Sequence, residues 1–342
     1  TLTVVIEEAP PFNIYPHFGR VDRSWTKINY GFYFTHFNVF GDKVYMNLNT
    51  SFGYNPGFSI SLMDDWFTNK RFIIGLSAFY GRVKHRIYND FIEKHRKIQF
   101  IFGKRLKRDI YLTFSNGIHF IKFPDEELTF FNKKDYLSKL YQFGVNLKYD
   151  KRNYKYFPSK GVYFRTTYST ESIQPFEMQY KHYMTDFRYY HPVQKFSFGI
   201  RQYSHFSSQS LPIYDAVYLG FGERIRGYFF KAYAGRALLL NQFEMRFPII
   251  NSRYYDLTGL EKNSPQSYQS YFKNLLFGMS GAVFIDNAMI EDHYQSLSIK
   301  KGKTGYGVSL YFLFPFHNLI RVDGAINDQG QFQYIIETQV SF

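Results

Sequence analysis

The stretch "FQYIIETQVSF" sets Phe332, Tyr334, Ile336, Val340 and Phe342 on one side of an extended chain with Thr338. Gln331, Gln333, Glu337, Gln339 and Ser341 fall on the other, and Ile335 is the one intruder. A period of two with one apolar and one polar face is that of a strand dividing an apolar medium from water. The same alternation recurs along the chain, bounded by Gly, Asn, Asp and Pro, and helical periodicity is hard to find. The longest uncharged apolar runs, such as "LLFGMSGAVFI" at 275 to 285, reach about the 9 to 11 residues of a tilted transmembrane strand and stop short of the roughly 20 of a spanning helix.

Read backwards from the C-terminus, the pattern predicts strands at 331–342, 317–326, 302–314, 272–286, 236–247, 195–206, 177–190, 161–172 and 139–150. Before them come 109–120, 94–104, 83–91, 71–80, 57–64, 43–53 and 26–38, the alternation of 83–91 being the weakest. The total of sixteen is even, as single-chain bacterial barrels require. If residue 26 enters from the periplasm, odd strands run outward. Short links such as "HPVQ" and "FPFHN" then fall on the periplasmic side and 207–235 on the outside. The link 248–271 is long for a periplasmic turn and reads as a partner-docking insert or a disordered loop. "TLTVVIEE" alternates as a strand and "APP" breaks it, so residues 1–25 read as the last strand of a preceding domain plus a linker, and 26–342 as the barrel.

A mean hydropathy of −0.35 would suit a soluble protein, but a wet lumen dilutes the apolar face of a barrel at every second residue. The chain carries 32 Tyr and 40 Phe, the aromatic load of a lipid-facing surface, and no Cys, so it has neither a disulfide framework nor a thiolate metal site. The formal charge of +14 does not point to nucleic acid: no DNA- or RNA-binding motif is present and the basic residues are scattered through strands. Their densest run, Lys104 to Arg108, reads as a solvated turn. "GFGERIRG" has neither the G-x-G-x-x-G nor the Walker A spacing. His182, His191 and His205 lack metal-ligand spacing and a carboxylate within sequence reach, and read as girdle or lumen residues. "YSHFSSQS" offers Ser and His without an orienting group, so no enzyme, cofactor or metal is expected.

"YLGFGERIRGYFFKAYAG", at 218 to 235, stands apart as an Arg-Gly-aromatic tip between two strands. Ile225, Arg226, Gly227 and Tyr228 resemble, with one conservative change, the Val-Arg-Gly-Phe/Tyr tip on the sixth extracellular loop of the Omp85 family, the outer-membrane assembly and translocation barrels. "YDKRNYKYFPSKG" resembles the family's turn between the eighth and ninth strands through Asp150, Arg152, Pro158 and Gly161, with Asn153 in place of a second Asp. "NQFEMRFPI" is similar to its twelfth-strand Glu segment and "GAVFIDNA" to its thirteenth-strand Phe-x-Asp segment, and "TLTVVIEE" resembles the end of a POTRA domain.

The resemblance implies an all-β fold, a 16-stranded antiparallel transmembrane barrel with an inward-folded loop between strands 11 and 12, preceded by a POTRA-like strand. It sets Arg226 against Glu244 and Asp286 in the lumen. Alternation agrees, placing Gln242, Glu244 and Arg246 on one face and Asp286 on another with Gly278, Ser280, Ala282 and Phe284. The implied function is insertion of other barrel proteins, or polypeptide translocation, at a seam between the first and last strands of a barrel in the bacterial outer membrane. The implied partners are outer-membrane lipids, unfolded barrel clients, and periplasmic or lipoprotein subunits. The alternatives are a non-gating accessory or channel barrel, or the membrane anchor of a fused passenger. The last predicted strand has no internal glycine to act as a hinge.

Overall fold

A computed structural model describes residues 11–21, 24, 26–41, 44–68, 70–85, 92–122, 137–174, 178–208, 211–212, 215–256, 275–315, 318–338 and 340–342. The chain begins with β1 (Phe12–Arg20), β2 (Ile28–Val39), β3 (Val44–Gly53), β4 (Gly57–Phe67), β5 (Phe72–Lys84) and β6 (Ile92–Lys107). It continues with β7 (Ile110–Lys122), β8 (Leu137–Asp150), β9 (Gly161–Gln174), β10 (Met178–Val193) and β11 (Phe196–Ser207). A long loop carries the short ribbon β12 (Val217–Leu219) and β13 (Tyr233–Gly235). After it come β14 (Ala237–Tyr255), β15 (Leu275–Glu291), β16 (Lys303–Phe314), β17 (Asn318–Asn327) and β18 (Phe332–Glu337). Sixteen strands, all except β12 and β13, form one antiparallel meander in chain order. The number predicted is right for compensating reasons.

Two boundaries differ from the sequence reading. The sheet begins at Phe12 and not at residue 26, because Phe12–Arg20 pairs in full with β2, from Phe12 opposite His36 to Arg20 opposite Ile28. Pro16 disguised this strand. It lies at the edge of the sheet, with β2 on one side and, among the described residues, no ladder on the other, and there a missing N–H is tolerated. No strand of the sheet corresponds to 83–91: β5 runs on to Lys84 and pairs directly with β6, Lys84 opposite Ile92, while 86–91 lie outside the described residues. The first four predicted strands therefore run opposite to the direction assigned from residue 26, and from β6 onward the two counts agree. The POTRA-like strand proposed for "TLTVVIEE" also lies outside the described residues.

The long link shortens. β14 continues to Tyr255 through register shifts after Pro248 and Ile250, which carry the ladder past a residue that cannot donate to it. What remains of that link, 257–271, lies outside the described residues. The last strand is shorter than predicted: β18 ends at Glu337, and Phe342 is buried against Tyr190 of β10, the ring centroids 6.1 Å apart. Phe332, Tyr334 and Ile336 face outward, whereas Val340 and Phe342 turn inward, away from the face that alternation assigned them. The departure needs no glycine hinge, since the chain simply leaves the ladder at Thr338.

The sheet curls around an interior. Phe342, just beyond β18, packs near Gly199 of β11, and one cavity is lined both by Lys84 and Glu93 of β5 and β6 and by His205 of β11. Outward positions such as Ile98, Leu76 and Phe100 are exposed, and inward positions such as Glu93, Ile121 and Leu140 are buried. Among the described residues no ladder joins β1 to β18.

Candidate functional site

The loop between β11 and β14 folds into this interior and places Arg226 at its deepest contacts. Gly227 follows with φ of +92°, a conformation that L side chains rarely adopt, and this turns the chain sharply after Arg226. Burial works against the charge on Arg226, but the Asp286 and Glu244 carboxylates more than offset it and hold the guanidinium pKa well above its ordinary value. Its Nε and Nη2 donate to Oδ2 and Oδ1 of Asp286 at 2.8 and 2.7 Å, a planar fork, and its backbone N–H donates to Oδ2 at 3.0 Å. Nη1 donates to Glu244, and the guanidinium carbon lies 3.5 Å from the centroid of the Phe284 ring.

Both carboxylates have further partners. Glu244 accepts from Arg246 and from the Tyr311 hydroxyl, the latter at 2.7 Å, while Gln242 donates to Asp286 at 3.2 Å. Gln242 also donates to Ser341 at 3.3 Å, tying the segment after β18 into the same network. The register explains how they meet: Gln242 sits opposite Asp286 and Glu244 opposite Phe284, so β14 and β15 present these side chains side by side to the lumen.

The tip is also bound to the end of the sheet. Asn327 donates to the carbonyl of Gly227 at 3.2 Å, Tyr228 donates to Asp328, and the Phe229 N–H donates to Gln333 of β18 at 2.9 Å. Phe229 packs with Phe284, Ala325 and Ile335, which gives the intruding isoleucine of the last strand its place. Ile225 and Tyr228 join a separate apolar cluster with Leu238 and Leu240.

The turn between β8 and β9 reaches this network from the other end. Arg152 makes a two-pronged pair with Asp150 at 2.9 and 3.0 Å and stacks over Tyr163. Gly161 has φ of +118°, and a Cβ there would lie 2.2 Å from the carbonyl of Lys151. Asn153 accepts from the N–H groups of Ser159 and Lys160, both at 3.1 Å, a role for which its amide oxygen serves as well as a carboxylate. Arg246 donates to the carbonyl of Pro158 at 2.9 Å, so the turn and the loop tip share one chain of contacts through Glu244.

Several participants were missed by sequence reasoning. A Cβ on Gly305 would lie 1.8 Å from the Arg226 carbonyl, so β16 must be bare where the tip presses on it. Gly305 and Gly307 stand two apart on one face, a spacing that marks room beneath a strand. The role of Tyr311 had no such signal. His182 does have a carboxylate partner: it contacts His205 at 3.0 Å and Asp215 of the loop at 3.1 Å. A parallel set joins His119 to His95 at 2.9 Å and His95 to Glu93 at 2.8 Å. Among the described residues no group of three or more His, Asp or Glu is arranged to hold a metal ion.

An ionised residue and its counter-charge two positions away recur on single strands: Asp186 with Arg188, Glu244 with Arg246, and Asp323 with Arg321. Arg201 adds a bridge from Asp186 to Glu223 of the loop.

A sixteen-stranded antiparallel sheet curled around an inserted Arg-Gly loop defines a class of outer-membrane β-barrel. The Omp85 superfamily domain matches residues 38–340, and the chain belongs to that superfamily. Solved structures agree on the fold. BamA from Haemophilus ducreyi lacking POTRA domains 1–3 matches with a TM-score of 0.70 at 16% identity, over 97% of this chain and 71% of that one. CdiB from Acinetobacter baumannii matches with a TM-score of 0.55 at 10% identity, over 95% of this chain and 64% of that one. CdiB from Escherichia coli gives 0.58 at 10%, over 97% and 62%. The chain thus spans less than two-thirds of each CdiB. No curated protein matches the sequence.

Proposed function

We propose that this chain is the membrane barrel of an outer-membrane machine that inserts β-barrel clients, or translocates a polypeptide, through the seam between β1 and β18. The seam carries the reading. β18 offers a six-residue ladder to β17, the chain then leaves the sheet, and among the described residues β1 has β2 as its only ladder partner. Two edges that lack a ladder partner among the described residues are a template for an incoming strand. The loop tip binds the β17–β18 end through Asn327, Asp328 and Gln333, so its position and that of the last strand are coupled.

In this reading the clients are unfolded barrel proteins, the surrounding solvent is outer-membrane lipid, and periplasmic or lipoprotein subunits deliver the client. The end of the sheet bearing the Arg226 loop faces outward. The deciding experiment joins β1 to β18 by engineered disulfides scanned along 12–20 and 332–337, and follows client assembly into membranes with and without reductant. Assembly should stop in the oxidised protein and return on reduction. Undiminished assembly by a fully crosslinked protein would instead make the barrel a non-gating accessory or an anchor.

A further inference from the structure

Outside the lumen, the outer face of β5 to β8 carries a pattern that the seam does not use. On β6 the outward positions at the loop end are Ile92, Lys94 and Arg96, followed by exposed Ile98 and Phe100. The register puts Lys94 opposite Arg82 on β5 and opposite Lys122 on β7. It puts Arg96 opposite Tyr80 and Phe120, and Phe120 opposite Lys139 on β8. Five cations thus occupy two adjacent rows of the ladder, and no Asp or Glu stands at an outward position of these four strands among the described residues.

Like charges directly across a ladder destabilise it. An anion laid over the rows removes the repulsion between Arg82 and Lys94, which stand directly opposite each other. The row from Arg82 to Lys122 covers three strands, and Lys139 adds a fourth, a span of about 14 Å at roughly 4.8 Å per strand. The ends of the side chains rest on aromatic rings: Arg96 is 5.8 Å from the Tyr80 centroid and Lys139 is 4.8 Å from that of Tyr141. Directly beneath lies a groove of about 540 Å³ that runs from Arg96 past Ile98, Phe100, Ile118 and Phe120, with Asn116 as a polar group on its wall. At the other end of β6, by contrast, outward Lys104 lies between Phe72 and Leu112, with no cation opposite it.

We infer that this face docks a glycolipid bearing two phosphates on a disaccharide, of the lipid A class, its phosphates on the two cationic rows and an acyl chain in the groove. A headgroup that wide suits a row four strands across, whereas a glycerophospholipid presents one phosphate. The inference rests on the proposed outward orientation of the loop end, but the binding assay does not depend on seam opening or on client assembly.

The test titrates the chain, purified in a non-ionic detergent, with bisphosphorylated lipid A, the same lipid A dephosphorylated, and phosphatidylglycerol, reading bound lipid by native mass spectrometry. One lipid A should bind saturably, and the other two at least tenfold more weakly. With about a fivefold effect per cation, Lys94→Gln/Arg96→Gln/Lys122→Gln should weaken lipid A binding roughly a hundredfold, while Lys104→Gln changes it less than about twofold. Where the triple variant loses heat-modifiable migration, the single variants Lys94→Gln and Arg96→Gln decide, each expected to weaken binding about fivefold. Equal binding of phosphatidylglycerol or of dephosphorylated lipid A overturns the inference, as does parental affinity in the triple variant or in both single variants.

Discussion

Replacing Arg226 with alanine removes the fork to Asp286, the pair with Glu244 and the stacking on Phe284 at one stroke. The two carboxylates do not suffer equally. Glu244 keeps Arg246 and Tyr311, but Asp286 keeps the Gln242 amide as its side-chain partner. Removing one partner of a buried pair costs about 3–5 kcal/mol. Because Glu244 stays paired, the lower figure applies, and about 3 kcal/mol corresponds to roughly a hundredfold change in the balance between docked and released loop. The ladders between neighbouring strands are untouched, so the barrel should persist while the loop comes free. The amide of Phe229, held by Gln333 at 2.9 Å, reports on docking. Hydrogen exchange there should accelerate by about two orders of magnitude in Arg226→Ala, and residues 220 to 232 should become open to protease. Arg226→Lys should fall between, since it keeps the charge without the fork. Exchange within about threefold of the parent in the alanine variant would show that the ion pairs do not hold the loop.

Gly305→Ala should release the same loop without touching a charge, because its Cβ meets the Arg226 carbonyl; parental exchange at Phe229 would contradict this. Tyr311→Phe removes one hydrogen bond to Glu244 and should loosen the loop by about 1 kcal/mol, well short of the arginine variant in the same exchange assay. Phe342→Ala should free the segment after β18 from Tyr190 and Gly199 and raise the rate of β1–β18 crosslinking; an unchanged rate would separate that segment from the seam. The parent chain should need detergent, give an almost wholly β circular dichroism spectrum, and migrate differently in mild SDS before and after boiling; identical migration would count against a barrel.

Alternation made most of the strands legible because each has one face toward the lumen, and period two survives any register. It failed at three kinds of place. Pro16 hid an edge strand, since its effect depends on whether a neighbour needs its N–H, and sequence does not show neighbours. At 83–91 alternation predicted a separate strand, whereas β5 runs on to Lys84 and pairs directly with β6. Val340 and Phe342 kept the period of a strand after the ladder had ended, because periodicity measures side-chain spacing and not backbone pairing. At the site, the resemblance brought Arg226, Glu244 and Asp286 into view, and alternation put the carboxylates on inward faces. The contribution of Tyr311, and the reach of Arg246 to Pro158, depend on which residues of distant strands share a level in the lumen. That level is set by the stagger of the whole sheet.

The recurrence of an acid and a base two residues apart, as in Asp186 with Arg188, Glu244 with Arg246 and Asp323 with Arg321, bears on how such a barrel is built. A strand that brings its own counter-ion enters the lipid as a locally neutral unit, with no need to wait for a neighbour to cancel its charge. Slippage of a neighbouring strand by a residue pair, or its late arrival, then leaves a satisfied dipole where a bare ion would have stood. The interior can therefore be strongly ionic in the finished barrel and still be assembled one strand at a time.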